Sequence, residues 1–401
     1  MQMTRGRTGN SKFLKAYNET GILDLIRTKQ AVSRADLSKE TGLSPTATGV
    51  IVSSLIEREY IHEVGTGESS GGRKPVLLEL KPDSWYSVGL DIEVDIIQFV
   101  LMDITSRVLH EGSIPLRVNT PEMAVMASAA CVRNIMRKFS IKKERLLGIG
   151  ISVPGIVDSE SQRVVLAPNI GWEDADPAGM LSEKLGLPVC IENEAMASAI
   201  CENWIGSCQT AGNFVCLNIK SGIGAGIFTG GRPYKGASGS AGEVGHIVVD
   251  ENGPGCGCGN YGCLETMAST GSIIEKARKI VWQGAVSSLN RLGNTDEITL
   301  EDIAEAARAG DTAAINILDQ AARYIGIALS GMVNTLNPSM IVLGKDFAVY
   351  GDLVMGTLRS IVDAKALRRP ASNVELVISK FGERASTLGA AIIPIKKLFG
   401  R

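Results

Sequence analysis

The sequence predicts an α/β protein led by a winged helix-turn-helix, and three observations carry this reading. Residues 12–80 read as three helices followed by two short strands that flank a Gly- and Ser-rich basic hairpin. From Tyr86 onward, short apolar strand patterns alternate with helical ones, the signature of an α/β body. The length of 401 residues leaves room for about two to four domains at roughly 100–200 residues each, and no repeat of solenoid period runs through it.

The first helix is expected over 12–28, with Leu14, Tyr17, Ile22, Leu25 and Ile26 as its buried positions. A second helix starts near Ser33, where Ser33 and Asp36 resemble a capping box with Asp in place of Glu, and Gly42 ends it. Ser44 caps a third helix whose first position is Pro45, a place where a missing N–H costs nothing. Thr48, Ile51, Val52 and Leu55 form its core stripe. Ser44, Thr46, Gly49, Val50 and Ser53 lie outside that stripe; they are small, and they suit close approach to base edges in a major groove. Strands follow at 60–64 and 76–80. The hairpin between them carries Gly71-Gly72-Arg73-Lys74, and Arg73 and Lys74 are its candidate DNA contacts.

Beyond Pro82-Asp83-Ser84 the pattern changes. Strands are expected at 86–91, 96–103, near 107–116 and at 146–153, with a helix over 121–139. Composition sets limits on function. Lys+Arg 41 against Asp+Glu 43 gives a net charge of −2, which does not favour bulk polyanion binding. Residues 1–80 hold 11 basic against 9 acidic residues and the remainder 30 against 34, so any nucleic-acid contact belongs to a local basic surface near the front. No apolar run reaches the roughly 20 residues of a membrane span. Arg5, Arg7 and Lys12 are not followed by the apolar stretch of a secretory signal, so a cytoplasmic location with reduced thiols is expected.

Two motifs point to chemistry. Ser221-Gly222-Ile223-Gly224-Ala225-Gly226 brings glycines together as a phosphate-binding loop does, although such a stretch also marks tight packing in a sheet. The more specific signal is His246 followed by Cys256, Cys258 and Cys263. Three thiolates and one imidazole complete a tetrahedral shell, so a closed structural zinc site is expected. The remaining cysteines, 131, 190, 201, 208 and 216, are expected as buried hydrophobes.

Taken together the motifs resemble the ROK family (repressors, open reading frames and kinases) in its repressor branch, most closely the xylose repressor subfamily. The resemblance rests on Ser-Ser-Gly-Gly-Arg-Lys-Pro at 69–75, Val-Pro-Gly-Ile-Val-Asp at 153–158 and Pro-Asn-Ile-Gly-Trp at 168–172. It continues in Glu-Asn-Glu-Ala at 192–195, Gly-Glu-Val-Gly-His at 242–246 and Cys-Gly-Cys-Gly-Asn-Tyr-Gly-Cys-Leu-Glu at 256–265. It implies a two-lobed, actin-like (ribonuclease H-like) sugar kinase fold behind the winged helix. The expected division is 1–82 for the winged helix, 83–195 completed by 383–401 for the first lobe, and 196–382 for the second lobe with the zinc site. It implies sugar contacts from Gly155, Asn169, Asn193, Glu194, Glu243, His246 and Glu265, with the sugar between the lobes.

The same resemblance bears on catalysis. Family kinases carry Asp-x-Gly-Gly-Thr on the first strand of the body; here the stretch is Asp91-Ile92-Glu93-Val94-Asp95, which sets two extra carboxylates toward a polyanion. Glu194 stands where the kinases have a catalytic Asp, and Leu343-Gly344-Lys345 replaces Leu-Gly-Gly. The expectation is therefore not an enzyme but a degenerate kinase domain: a repressor of carbohydrate-utilisation genes that binds operator DNA as a homodimer, in an assembly of two or four copies, and is released by a sugar, xylose favoured. A working sugar kinase and a repressor governed by a protein partner are the competing readings.

Overall fold

In a computed structural model, residues 11–67, 74–117, 120–292 and 294–400 are described. The chain forms two compact units: one contains 1–151, 176–190 and 390–401, the other 152–175 and 191–389. The sequence-based division separated 1–82 from 83–195 completed by 383–401; by contacts, the winged helix and most of the first lobe fall in one unit, and 152–175, 191–195 and 383–389 go with the other.

The first unit opens with helix α1 (Ser11–Lys29), strand β1 (Val32–Ser33), helices α2 (Arg34–Thr41) and α3 (Pro45–Glu57), and strands β2 (Ile61–Thr66) and β3 (Val76–Leu80). Local sequence explains the joints. Ser33 and Asp36 form a reciprocal capping box on α2, Gly42 ends that helix in the left-handed conformation, and Ser44 Oγ accepts the Ala47 N–H to start α3 with Pro45 in its first turn. The three strands form one sheet in the order β1-β3-β2. Burial on α1 differs from the expectation: Ile22, Leu23 and Ile26 are buried, Leu25 is half-buried, and Leu14 (52 % exposed) and Tyr17 (68 %) are exposed. The helix packs on α2, α3 and β3, and from Leu14 onward its buried positions fall in its C-terminal half.

Strands β4 (Tyr86–Ile92), β5 (Ile96–Asp103) and β6 (Val108–Pro115) form an antiparallel meander, followed by α4 (Pro121–Lys138) and β7 (Leu146–Val153). Strands β8 (Ile156–Asp158), β9 (Arg163–Ala167) and β10 (Trp172–Ala175) make a small sheet of the second unit. The chain returns through α5 (Pro177–Leu185) to β11 (Val189–Asn193), giving a five-stranded sheet in the order β11-β7-β4-β5-β6. Within the first unit the winged helix is held to this body by stacking of Trp85 on Tyr60, with ring centroids 4.7 Å apart, by the Trp85 Nε1 bond to Arg58 O, and by the Arg145–Glu59 ion pair.

The second unit continues with α6 (Glu194–Trp204), β12 (Phe214–Ile219), β13 (Ile223–Thr229), β14 (Arg232–Pro233), α7 (Leu264–Ala268), α8 (Thr270–Trp282), α9 (Leu300–Arg308), α10 (Thr312–Leu336), β15 (Met340–Lys345), α11 (Phe347–Lys365), α12 (Arg368–Asn373) and β16 (Glu375–Ile378); α13 (Ala385–Leu398) closes the chain. Its sheet runs β14-β13-β12-β15-β16, with β15 parallel to both neighbours and β13 antiparallel to β12. Ile317, Leu318, Ile325 and Leu329 of α10 pack with Leu217, Ile341, Leu343, Phe347 and Leu358 in the core. Gly226 lets α6 lie against the sheet: a Cβ there would stand 2.4 Å from Ala195 O. Among the described residues no helix is long and apolar enough to cross a membrane.

Candidate functional site

The residues for which the sequence implied sugar contacts lie on separate stretches of chain. Gly155 follows β7, and Asn169 sits in the short 3-10 turn after β9. Asn193 ends β11 and caps α6, and Glu194 is the first residue of that helix. Glu243 and His246 belong to a turn after β14, and Glu265 belongs to α7. All seven line one cavity of about 360 Å³, a volume in the usual range for small-molecule sites. All seven belong to the second unit.

Several of these side chains are already anchored. Asn193 Oδ1 accepts from the N–H groups of Ala195 and Met196, and its Nδ2 donates to Gly155 O at 2.7 Å. It therefore fixes the start of α6 and the Gly155 turn while keeping one N–H available. Glu265 Oε2 accepts the Ile223 N–H at 3.1 Å, which leaves the other oxygen for a ligand. Gly222 provides the room for this: a Cβ there would lie 2.9 Å from that same Glu265 oxygen. Burial raises the Glu243 carboxyl; His246 opposes this and Glu265 adds to it. The turn that carries Glu243 and His246 lies tight against β13, where Gly242 (φ +105°) bonds through its carbonyl to Ala225 N at 2.8 Å.

His246, Cys256, Cys258 and Cys263 gather beside this cavity with their ligand atoms all within 4.8 Å of one another. The His246 Nδ1–Cys256 Sγ distance is 3.6 Å and the Cys258–Cys263 Sγ separation is 3.7 Å. A tetrahedral zinc with Zn–S bonds of about 2.3 Å requires ligand–ligand edges near 3.7 Å; these two edges match it, and the Cys₃His donor set gathered within 4.8 Å suits that ion. The Asn260 backbone N–H, then the neighbouring cysteines and His246, bring the exposed Cys258 thiol down to about 7, while burial first and then Cys258 and Cys256 push Cys263 up to about 12. With Nδ1 turned to the cluster, His246 keeps Nε2 for the cavity it lines. The other five cysteines are buried, as expected.

The sequence did not reveal the role of Glu192 and did not single out Lys235. Glu192 is buried and pairs with Lys235 at 2.6 Å, and Ser159 Oγ donates to both of its oxygens; Glu192 and Lys235 line a smaller neighbouring pocket that shares Gly155, Asn193 and Glu243 with the cavity. No local pattern links residues so far apart in sequence.

The candidate DNA face is on α3. Thr48, Ile51, Val52 and Leu55 are buried, whereas Ser44, Thr46, Val50 and Ser53 are exposed, Gly49 is half-buried and Lys74 is exposed near the start of β3. Ser44 spends its hydroxyl oxygen on the cap. Arg73 and the tip Gly71-Gly72 lie outside the described residues.

An N-terminal helix-turn-helix with a wing, joined to an α/β body that holds a polar cavity beside a Cys₃His cluster, defines a class: sugar-kinase-like proteins with a winged-helix segment in front. The chain belongs to the ROK family, whose sequence profile matches residues 87–397. It is similar to the xylose repressor of Caldicellulosiruptor bescii, 32% identical over 97% of this chain and 98% of that one. Among solved structures it is similar to a ROK family transcriptional regulator described as a homolog of the E. coli MLC protein, with TM-score 0.85, 30% identity and 96% of each chain covered. It is also similar to a ROK family glucokinase from Streptomyces griseus in complex with glucose and AMPPNP, with TM-score 0.67 and 28% identity over 76% of this chain and 98% of that one.

Proposed function

We propose that this protein is a sugar-responsive transcriptional repressor of carbohydrate-utilisation genes. The observation that carries the reading is the coexistence, in one chain, of an exposed small-residue face on α3 and a polar cavity lined by Asn193, Glu194, Glu243, His246 and Glu265. Carboxylates and amides converging on a cavity make strong charge-assisted bonds to hydroxyl groups. The repressor name of a relative similar over nearly the whole chain, and the transcriptional-regulator name of a similar solved structure, support the same reading.

In this account two copies of the chain bind a pseudo-palindromic operator, each with α3 in a major groove and Lys74 near the phosphates. A sugar, xylose favoured, takes hydroxyl contacts from Asn169, Asn193, Glu194, Glu243, His246 and Glu265, with Gly155 at the cavity wall. Sugar binding favours one conformation of the chain, and operator affinity falls to the extent that this conformation binds DNA poorly; a preference of about 10⁴-fold swings the population almost fully. His246, Cys256, Cys258 and Cys263 would hold a structural zinc. Held together in this way, the loop bearing His246 and the start of α7 would keep His246 and Glu265 oriented.

A kinase reading is disfavoured by the hairpin after β4. The Glu93 N–H closes it onto Ile96 O, and two carboxylates, Glu93 and Asp95, occupy the place of the glycine-rich phosphate turn. The test pairs two measurements on the full-length protein. Titration calorimetry with D-xylose, D-glucose and N-acetylglucosamine is expected to give saturable binding for one sugar. A coupled ADP-release assay with the same sugars and Mg-ATP is expected to show no turnover. Turnover would replace the repressor reading with the kinase; a silent sugar panel would favour control by a protein partner.

A further inference from the structure

Beside the N-terminal end of the Gly-rich segment, the end that also holds Glu265, two carboxyl groups face each other. Asp346, just after β15, and Glu383, in the turn before α13, have side chains within hydrogen-bond reach. The Glu383 Oε1 atom is buried and has no donor among the described residues. Two ionised carboxylates in that geometry repel, whereas one proton between them makes a bond and satisfies the orphaned oxygen.

The groups around the pair come from every adjoining element. Lys220, which follows β12, reaches Glu383 Oε2 at 2.7 Å. Thr270 Oγ1, at the start of α8, donates to Asp346 Oδ2 at 2.6 Å. Lys345 of β15 is buried, donates to Ser386 Oγ at 2.7 Å and lies 3.4 Å from Glu383 O. Tyr350 of α11 is buried within electrostatic range of Asp346. Burial and Glu383 together raise Asp346 to about 7, against Thr270 and Lys220, while the neighbouring Lys residues and Asp346 draw Glu383 down to about 2 in spite of burial.

The pair is wired to the cavity through backbone. Asp346 N–H bonds to Ile219 O at 3.0 Å, Thr270 N–H to Lys220 O at 2.8 Å and Lys220 N–H to Gly222 O at 2.9 Å. The next residue is Ile223, whose N–H holds Glu265.

We propose that Asp346 and Glu383 share one proton and act as positioning residues for Glu265, making ligand affinity fall as that proton is lost. With the proton present, Lys220 and Thr270 are anchored and the 220–223 segment holds Glu265. Without it, the two carboxylates push those anchors apart and Ile223 releases Glu265. The sugar part of this inference rests on the function proposed above; the proton and the loop do not.

The experiment compares the full-length protein with Asp346→Asn between pH 6 and 8.5. An asparagine accepts from Thr270 and donates to Glu383, so it imitates the protonated pair at every pH. Infrared difference spectra are expected to show a protonated carboxyl band that titrates away near neutrality and is missing in Asp346→Asn. Hydrogen exchange of the peptide containing Ile223, corrected for intrinsic rate, is expected to quicken above neutrality in the unsubstituted protein and stay level in the variant. D-xylose, D-glucose or N-acetylglucosamine, whichever binds, is expected to lose affinity about tenfold per pH unit above that point, and not in Asp346→Asn. Absence of the titrating band overturns the proposal, and so does Ile223 exchange that is alike in the two proteins or an affinity that is level with pH in both. If the band and the exchange behave as stated while all three sugars are silent, the proton-sharing pair stands and the sugar reading falls. Glu383→Gln, which donates to an ionised Asp346, gives the same level exchange profile should Asp346→Asn not fold.

Discussion

Replacing Gly242 by alanine tests how closely the cavity depends on the turn behind it. Gly242 has φ +105°, and a Cβ there would stand 1.9 Å from Ala225 O on β13. An ordinary carbon–oxygen approach is about 3.3 Å, so the turn or the strand must yield by roughly 1.4 Å. The backbone conformation adds a strain of about 1–3 kcal/mol for any residue with a Cβ. Glu243 is the next residue and His246 rides the same turn, so both move with it. Misplacement by about 1 Å costs on the order of 100-fold where polar groups must converge on one ligand. Gly242→Ala is therefore expected to bind the sugar about 100-fold more weakly by calorimetry and to retain less zinc by elemental analysis. Gly271→Ala, whose new Cβ meets open space on α8, is the control and is expected to leave both unchanged. A folded Gly242→Ala protein with unaltered sugar affinity and full zinc content would refute the reasoning.

Three other outcomes follow from the same structure. Cys258→Ser, on the exposed side of the cluster, is expected to abolish zinc retention and lower sugar affinity by about 10-fold or more, since a ligand's support typically carries 10–100-fold; elemental analysis and calorimetry check both. Asp311 caps α10 through Ala314 N–H and accepts from Ser287 Oγ, Ser288 N–H and Ser288 Oγ; burial raises its carboxyl, but these bonds prevail and take it to about 2. A depressed carboxyl stabilises the fold above its unfolded value and loses that contribution as pH falls toward about 2. Asp311→Ala is thus expected to cost about 2 kcal/mol at pH 7 in urea unfolding, with the gap narrowing below pH 4. Val50→Glu, at an exposed position of α3, is expected to weaken operator binding by about 10-fold or more, without moving the melting temperature, as read by fluorescence anisotropy and calorimetric scanning.

What the sequence disclosed was mostly local. The Ser33–Asp36 box and the Ser44-Pro45 start are decided within a few residues, and both appear where expected. The Cys₃His set was legible because its spacing within a Gly-rich loop has few other uses. The exposed Leu14 and Tyr17 show the limit of periodicity, which tells which residues share a face but not how far along a helix its partners extend. Strand β1 is two residues long and exists only because Leu77 and Leu78 pair with it. The Glu192–Lys235 and Asp346–Glu383 pairs join distant segments, and nothing near any of the four residues announces its partner.

The central claim is that a sugar in the cavity governs DNA binding at α3. Fluorescence anisotropy of the full-length protein on a DNA fragment selected for binding to it, titrated with D-xylose, D-glucose and N-acetylglucosamine, tests it most directly. One sugar is expected to release the DNA at concentrations that saturate the cavity, and Glu243→Gln to shift that release to higher sugar while leaving DNA affinity intact. Tight DNA binding that no sugar alters, or release that is the same in Glu243→Gln, contradicts the account.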